Sequence, residues 1–144
     1  MTQILPYRLW LGHAGDGRDL QQFFEAEIEA LVHLAAEEPI IQAPRDLIHV
    51  RIPLLDGPGN RAESLTLAIQ TVASLLTMRV ETLVCCGAGM SRSPCIAAAA
   101  LAMTSGEPPA RVLRRIVEQR PCDVSPSLWN EVIHLSATRP SGSS

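Results

Sequence analysis

A chain of 144 residues, 47% of them apolar, is long enough to bury one core and short enough to be one domain. Its formal net charge of −3 argues against a protein that grips nucleic acid through the phosphate backbone. The longest apolar run, Ile96–Met103, is far shorter than the roughly 20 residues a membrane span needs, so no membrane partner is expected.

No basic stretch followed by an apolar one opens the sequence, so no signal peptide is expected and the cytoplasm is the expected compartment. All twelve basic residues are Arg; with the many alanines, this suggests a GC-rich, bacterial source. The four cysteines (Cys85, Cys86, Cys95, Cys122) lack the Cys-x2–4-Cys pairs of a zinc site, and the chain is neither secreted-looking nor core-poor enough to need a disulfide frame. Reactive or simply buried thiols remain, with no metal and no cofactor expected.

Strand-like and helix-like segments alternate along the chain. Tyr7–Gly12 alternates and ends in Gly, as a strand would. Asp19–Ala30 carries Leu20, Phe23, Phe24, Ile28 and Leu31 at helical spacing. Ala30–Ala35 reads as a second strand and Leu47–Leu54 as a third, followed by the loop Asp56-Gly-Pro-Gly. Arg61–Arg79 is an amphipathic helix striped by Leu65, Ile69, Val72 and Leu76. Glu81–Cys86 is a short apolar strand suited to the centre of a sheet. Ser93-Pro94 reads as an N-cap and first helical position, opening an alanine-rich helix to about Ser105. Gly106-Glu-Pro-Pro breaks it, and Ala110–Gln119 and Pro126–Ala137 follow as two further helices. Only Met1–Gln3 and Pro140–Ser144 look loose.

This alternation predicts an α/β fold with a mainly parallel central sheet flanked by helices, one domain over 1–144 with its ordered core at about 4–138. In such folds ligands sit beyond the carboxyl ends of the strands. Two loops lie there by this reading: Asp56–Asn60, and Cys86–Arg92 between the central strand and a helix.

The second loop reads Cys86-Gly87-Ala88-Gly89-Met90-Ser91-Arg92-Ser93. The spacing Cys-x5-Arg alone arises too readily by chance to mean much, but here a strand, two glycines, flanking hydroxyls and a helix start surround it. A thiol is a useful nucleophile only as thiolate. Converging loop amides, a helix N-terminus and a guanidinium all favour negative charge at one point, and the same cradle suits a phosphate dianion. Gly87 and Gly89 allow the backbone to curl, and Arg92 offers a planar fork for two phosphate oxygens.

The stretch from Val84 to Pro94 resembles the signature of the dual-specificity phosphatases, within the cysteine-based protein tyrosine phosphatase superfamily. YRLWLG resembles that family's first strand, IPLLDGPG its aspartate loop, and Pro109–Leu135 with Arg120-Pro121 its closing helices. The resemblance implies a two-step, metal-free hydrolysis through a phosphocysteine. It implies Cys86 as nucleophile, Arg92 as phosphate-binding arginine, and Gly87, Ala88, Gly89, Met90 and Ser91 as the phosphate cradle. Ser93 would be the hydroxyl that steadies the thiolate as the intermediate breaks down, and Asp56 the general acid.

Chemistry asks for such an acid independently, since the leaving oxygen needs a proton. Asp16, Asp19, Asp46 and Asp123 are alternatives by type, but Asp56 alone directly follows a parallel-strand segment. The chain departs from the family at Cys85, where a His usually braces the loop. That implies a less stabilised thiolate and a slower enzyme, or redox pairing of Cys86 with Cys85 or Cys95; a plain core role for Cys85 is the simpler reading. His33 and His49 read as structural, and Arg111, Arg114, Arg115 and Arg120 as a solvated helix face.

The expected function is hydrolysis of phosphotyrosine and phosphoserine or phosphothreonine in proteins by a monomer. The alternatives are a phosphate-binding pseudophosphatase and a phosphatase of small, non-protein phosphoesters. The absence of a basic residue at positions 87–90 disfavours a phosphoinositide headgroup.

Overall fold

The computed structural model describes residues 1–138; the Pro140–Ser144 segment, expected to be loose, lies outside them. Five strands form one sheet: β1 (Thr2–Gln3), β2 (Leu9–His13), β3 (Ala30–Ala35), β4 (Ile48–Leu54) and β5 (Thr82–Cys86). Their order is β1-β2-β5-β3-β4, so the last strand in sequence is the middle one in space. β5 pairs parallel with both β2 and β3, and β3 pairs parallel with β4. A strand buried on both sides reads as a continuous apolar run, and every residue of β3 and β5 is buried.

Met1–Gln3 is not loose: Thr2 and Gln3 pair antiparallel with Leu11 and Trp10, and the terminal amine sits 3.3 Å from the Asp16 carboxylate. An edge strand of two residues carries too little pattern to be seen in sequence.

The helices are α1 (Leu20–Ala26), α2 (Ala62–Thr77), α3 (Arg92–Ser105), α4 (Pro109–Gln119) and α5 (Pro126–Thr138). α3 is buried on all sides from Arg92 to Ala102. A helix apolar all round belongs in the middle of a layer, and its alanines let α2, α4 and α5 pack against it. The sheet face towards these helices contributes Val32, Leu34, Val84 and Cys86 to the main core. The opposite face carries Leu31, Leu83 and Cys85 against Phe23, Ile28 and Ile41.

Two element boundaries differ from expectation for local reasons. α1 stops at Ala26 because Glu27 turns left-handed (φ 56°), which leaves Phe24 exposed and only Phe23 in the core. α3 starts at Arg92 with Ser91, not Ser93, as its N-cap. Ser91 has the non-helical backbone (φ −125°) that an N-cap needs. Pro94 is tolerated inside the first turn because no N–H there has a helical partner anyway.

After α2, the exposed Arg79 also adopts a left-handed backbone (φ 59°). L-residues bear a penalty there that glycine does not. Arg79→Gly is expected to raise stability by about 0.5 kcal/mol despite the added freedom of the unfolded chain; a lower urea midpoint would contradict this.

Candidate active site

Strand geometry separates the two adjacent thiols. Successive side chains on a strand point to opposite faces, so the adjacent thiols of β5 part company. Cys85 turns towards the face of α1, where a Cβ added to Gly17 would lie 3.1 Å from its sulfur. Cys86 turns towards the helical layer and also lines a pocket of about 390 Å³ at the carboxyl edge of the sheet. The other residues around that pocket are Glu37, Asp56, Ala88, Met90, Ser91, Arg92 and Asp123. Asp56 and Cys86, assigned from sequence, are thus brought together with Arg92.

The loop from Cys86 to Arg92 is held by its carbonyls. The Gly87 carbonyl accepts from the Ala14 N–H at 3.1 Å, the Met90 carbonyl from the Asp123 N–H at 2.7 Å, and the Ser91 carbonyl from the Cys95 N–H at 3.0 Å. The Gly89 carbonyl accepts from Arg120 Nε at 3.0 Å. In a planar trans peptide the carbonyl and the following N–H point opposite ways. Anchoring these four carbonyls to the surrounding elements therefore turns the N–H groups of Ala88, Met90, Ser91 and Arg92 away from the anchors. Among the described residues no protein group accepts from the N–H of Ala88, Gly89, Met90 or Ser91. Converging backbone amides of this kind favour negative charge. Gly89 is required at the tightest point: its φ is +74°, and a Cβ there would lie 2.7 Å from the Gly12 carbonyl oxygen.

Arg92, the first residue of α3, is almost fully buried. Its Nη1 donates to the Leu54 carbonyl at 2.9 Å, and Nη1 and Nη2 donate to the two Glu37 oxygens at 2.5 and 2.6 Å. These bonds raise the Arg92 pKa further and hold the Glu37 carboxyl down at about 2. Glu37 escaped the sequence reading, although it lies two residues beyond the carboxyl end of β3, on the edge where ligands are expected.

The Asp56 carboxylate accepts a 2.6 Å hydrogen bond from the Ser91 hydroxyl, whose oxygen accepts in turn from the Ser125 N–H at 2.9 Å. Asn60 braces the same turn by accepting from the Leu55 N–H at 2.8 Å and donating to the Leu55 and Gly57 carbonyls. Of the alternative carboxylates, Asp16 is engaged by the N-terminus and His13, and Asp19 caps α1, while Asp123 reaches the pocket. The Ser93 hydroxyl is buried with no hydrogen-bond partner among the described residues. Arg120 is not part of a solvated helix face: it ends α4, and besides Gly89 it reaches the Thr2 hydroxyl at 2.9 Å.

Burial pushes the Cys85 and Cys95 thiols up to about 12, so neither offers a thiolate at neutral pH. Cys85 pairs in register with His33, whose two ring nitrogens are buried without partners and whose pKa burial lowers to about 4. This agrees with core roles for both.

No family profile matches the sequence, and no curated protein matches it either. The likeness is to solved structures. Human DUSP28 superposes with a TM-score of 0.83 at 22% identity, over 95% of this chain and 96% of that one. DUSP15 gives a TM-score of 0.78 at 23% identity, over 97% of both chains. The human tyrosine phosphatase-like serine/threonine/tyrosine-interacting protein gives 0.80 at 20% identity, over 95% of both chains. The chain has the fold of the dual-specificity phosphatases, matched over nearly its whole length.

Proposed function

We propose that this chain is a cysteine-dependent phosphatase of the dual-specificity type, hydrolysing phosphomonoesters through a phosphocysteine. The observation that carries the reading is the loop 86–92, whose anchored carbonyls turn its amides inward beside Cys86 and the Arg92 guanidinium. The fold shared with DUSP28 and DUSP15 supports it.

In the first step the Cys86 thiolate attacks phosphorus and the ester oxygen leaves. The loop amides and Arg92 take the charge spread over the equatorial oxygens. Asp56, placed on the adjoining loop by Ser91 and Asn60, gives its proton to the leaving oxygen. The alcohol departs, and the phosphoryl group stays on sulfur. In the second step the Asp56 carboxylate takes a proton from water as the water oxygen attacks phosphorus and the S–P bond breaks. The unpartnered Ser93 hydroxyl is the donor for the sulfur's returning charge. Inorganic phosphate leaves, and the starting protonation is restored.

The residues at the pocket suit a phosphate carried on a side chain. Aryl and alkyl esters of phosphotyrosine, phosphoserine and phosphothreonine in proteins are the substrate class proposed. Small phosphoesters are the other class that such an open site admits.

Two outcomes test the chemistry. Cys86→Ser keeps the cradle and loses the thiolate. It should bind tungstate like the wild type while retaining less than about one per cent of turnover; substantial residual hydrolysis would remove Cys86 as nucleophile. Asp56→Asn should slow hydrolysis of an alkyl phosphate by about 10²-fold and of an activated aryl phosphate much less, because a good leaving group needs less help. If the loss is uniform across leaving groups, and Asp123→Asn shows the graded loss instead, Asp123 is the acid.

A further inference from the structure

The turn that carries Asp56 is fixed in shape from within and in place from without. Asn60 supplies the shape, bonding the Leu55 N–H and the Leu55 and Gly57 carbonyls inside the turn. Those bonds travel with the turn, so they leave open how far it stands from the cradle. Placement needs bonds that reach outside it. Among the described residues two hydrogen bonds from 56–59 do so. One is the bond that the Asp56 carboxylate accepts from Ser91, and the other runs from the Gly59 N–H to Glu131 Oε1 at 3.1 Å.

Both lead to the start of α5. The Ser91 oxygen accepts from the N–H of Ser125, which immediately precedes the helix, and Glu131 lies in its second turn. Between them, a Cβ added to Gly57 would sit 3.9 Å from the Ser127 hydroxyl. Ser127 and Glu131 are four residues apart and share one helix face. That face runs along the Asp56 turn, touching it at Gly57 and holding it at Gly59. The amide that Glu131 receives belongs to a residue with φ of +96°, a conformation that glycine adopts without strain and L side chains avoid.

We propose that Glu131 is a positioning residue for the acid: by holding the Gly59 amide, it keeps the Asp56 carboxyl group within reach of the leaving oxygen. This rests on the assignment of Asp56 above and concerns how that carboxyl group is placed.

Glu131 lines no part of the pocket. Releasing the turn therefore leaves the anion's own contacts in place and slows only the transfer of a proton to the ester oxygen. Such help matters most when the leaving oxygen is basic, so the loss grows as the leaving group worsens. A carboxylate acting by charge alone is separable, because Glu131→Gln removes the charge and keeps an acceptor oxygen.

Phenyl phosphate and p-nitrophenyl phosphate, alike in size and unlike in leaving group, read this through kcat/KM, with tungstate affinity by calorimetry as the control. Glu131→Ala should slow phenyl phosphate about tenfold and p-nitrophenyl phosphate less than about twofold, with tungstate binding unchanged. Glu131→Gln should behave as the wild type. Glu131→Asp keeps the charge on a side chain one carbon shorter; it should repeat the graded loss, and it serves if Glu131→Ala fails to fold. In the Asp56→Asn background Glu131→Ala should add nothing, since it acts through that carboxyl group. An equal loss on both esters, no loss on either, weakened tungstate binding, or a Gln variant as slow as the Ala variant overturns the proposal. A loss in Asp56→Asn that does not depend on the leaving group would instead overturn the acid assignment beneath, and the role of Glu131 with it.

Discussion

The site depends first on how seven residues of backbone are anchored. A peptide group cannot turn its carbonyl without turning the next N–H the other way, so the direction of the cradle's amides is fixed from outside. The anchors come from four separate places: the turn after β2 through Ala14, the end of α4 through Arg120, the α4–α5 connection through Asp123, and the first turn of α3 through Cys95. The direction of these amides is therefore a property of the folded domain and not of the Cys-x5-Arg segment alone. A free segment of that sequence would turn its amides to water.

The second constraint is charge. Among the described residues lining the pocket, Arg92 is the sole cation, while Glu37, Asp56 and Asp123 bring three carboxyl groups. An anion held there would gain from the amide dipoles and from one guanidinium, with no reserve of surrounding positive charge. Two of the three are restrained: Glu37 by Arg92, Asp56 by the Ser91 hydroxyl. The hydroxyl of Ser91 belongs to the same loop whose carbonyl anchors α3. Asp56 and the loop are thereby linked through a single residue, so a change at Ser91 would disturb both.

Much of this was legible in the sequence, and the reasons differ by element. β3, β5 and α3 are dense apolar runs whose burial is written in composition, and their positions lie within a few residues of expectation. The strand-then-turn logic pointed to Cys86, Arg92 and Asp56, which line one pocket, because parallel strands open their loops on one edge. What escaped were contacts made across long sequence gaps: Glu37 with Arg92 and Arg120 with Gly89 leave no periodic trace. Glu37 had a positional clue in its place just past β3, whereas Arg120 looked like one more arginine on a basic helix. The N-cap was misplaced by two residues because both Ser91 and Ser93 are good caps by type, and only backbone angle distinguishes them. Alternation sends Cys85 to the other face of the sheet from Cys86, among Phe23, Leu31 and Leu83.

The central claim is that a phosphoryl group passes through Cys86. Rapid acid quenching during turnover of an aryl phosphate, followed by peptide mass mapping, tests it most directly. The account predicts one phosphoryl group on the peptide containing Cys86, accumulating in Asp56→Asn if breakdown of the intermediate is slowed more than its formation, and absent in Cys86→Ser. Phosphate release at full rate with no covalent phosphoenzyme, or with the phosphoryl group on another residue, would contradict it.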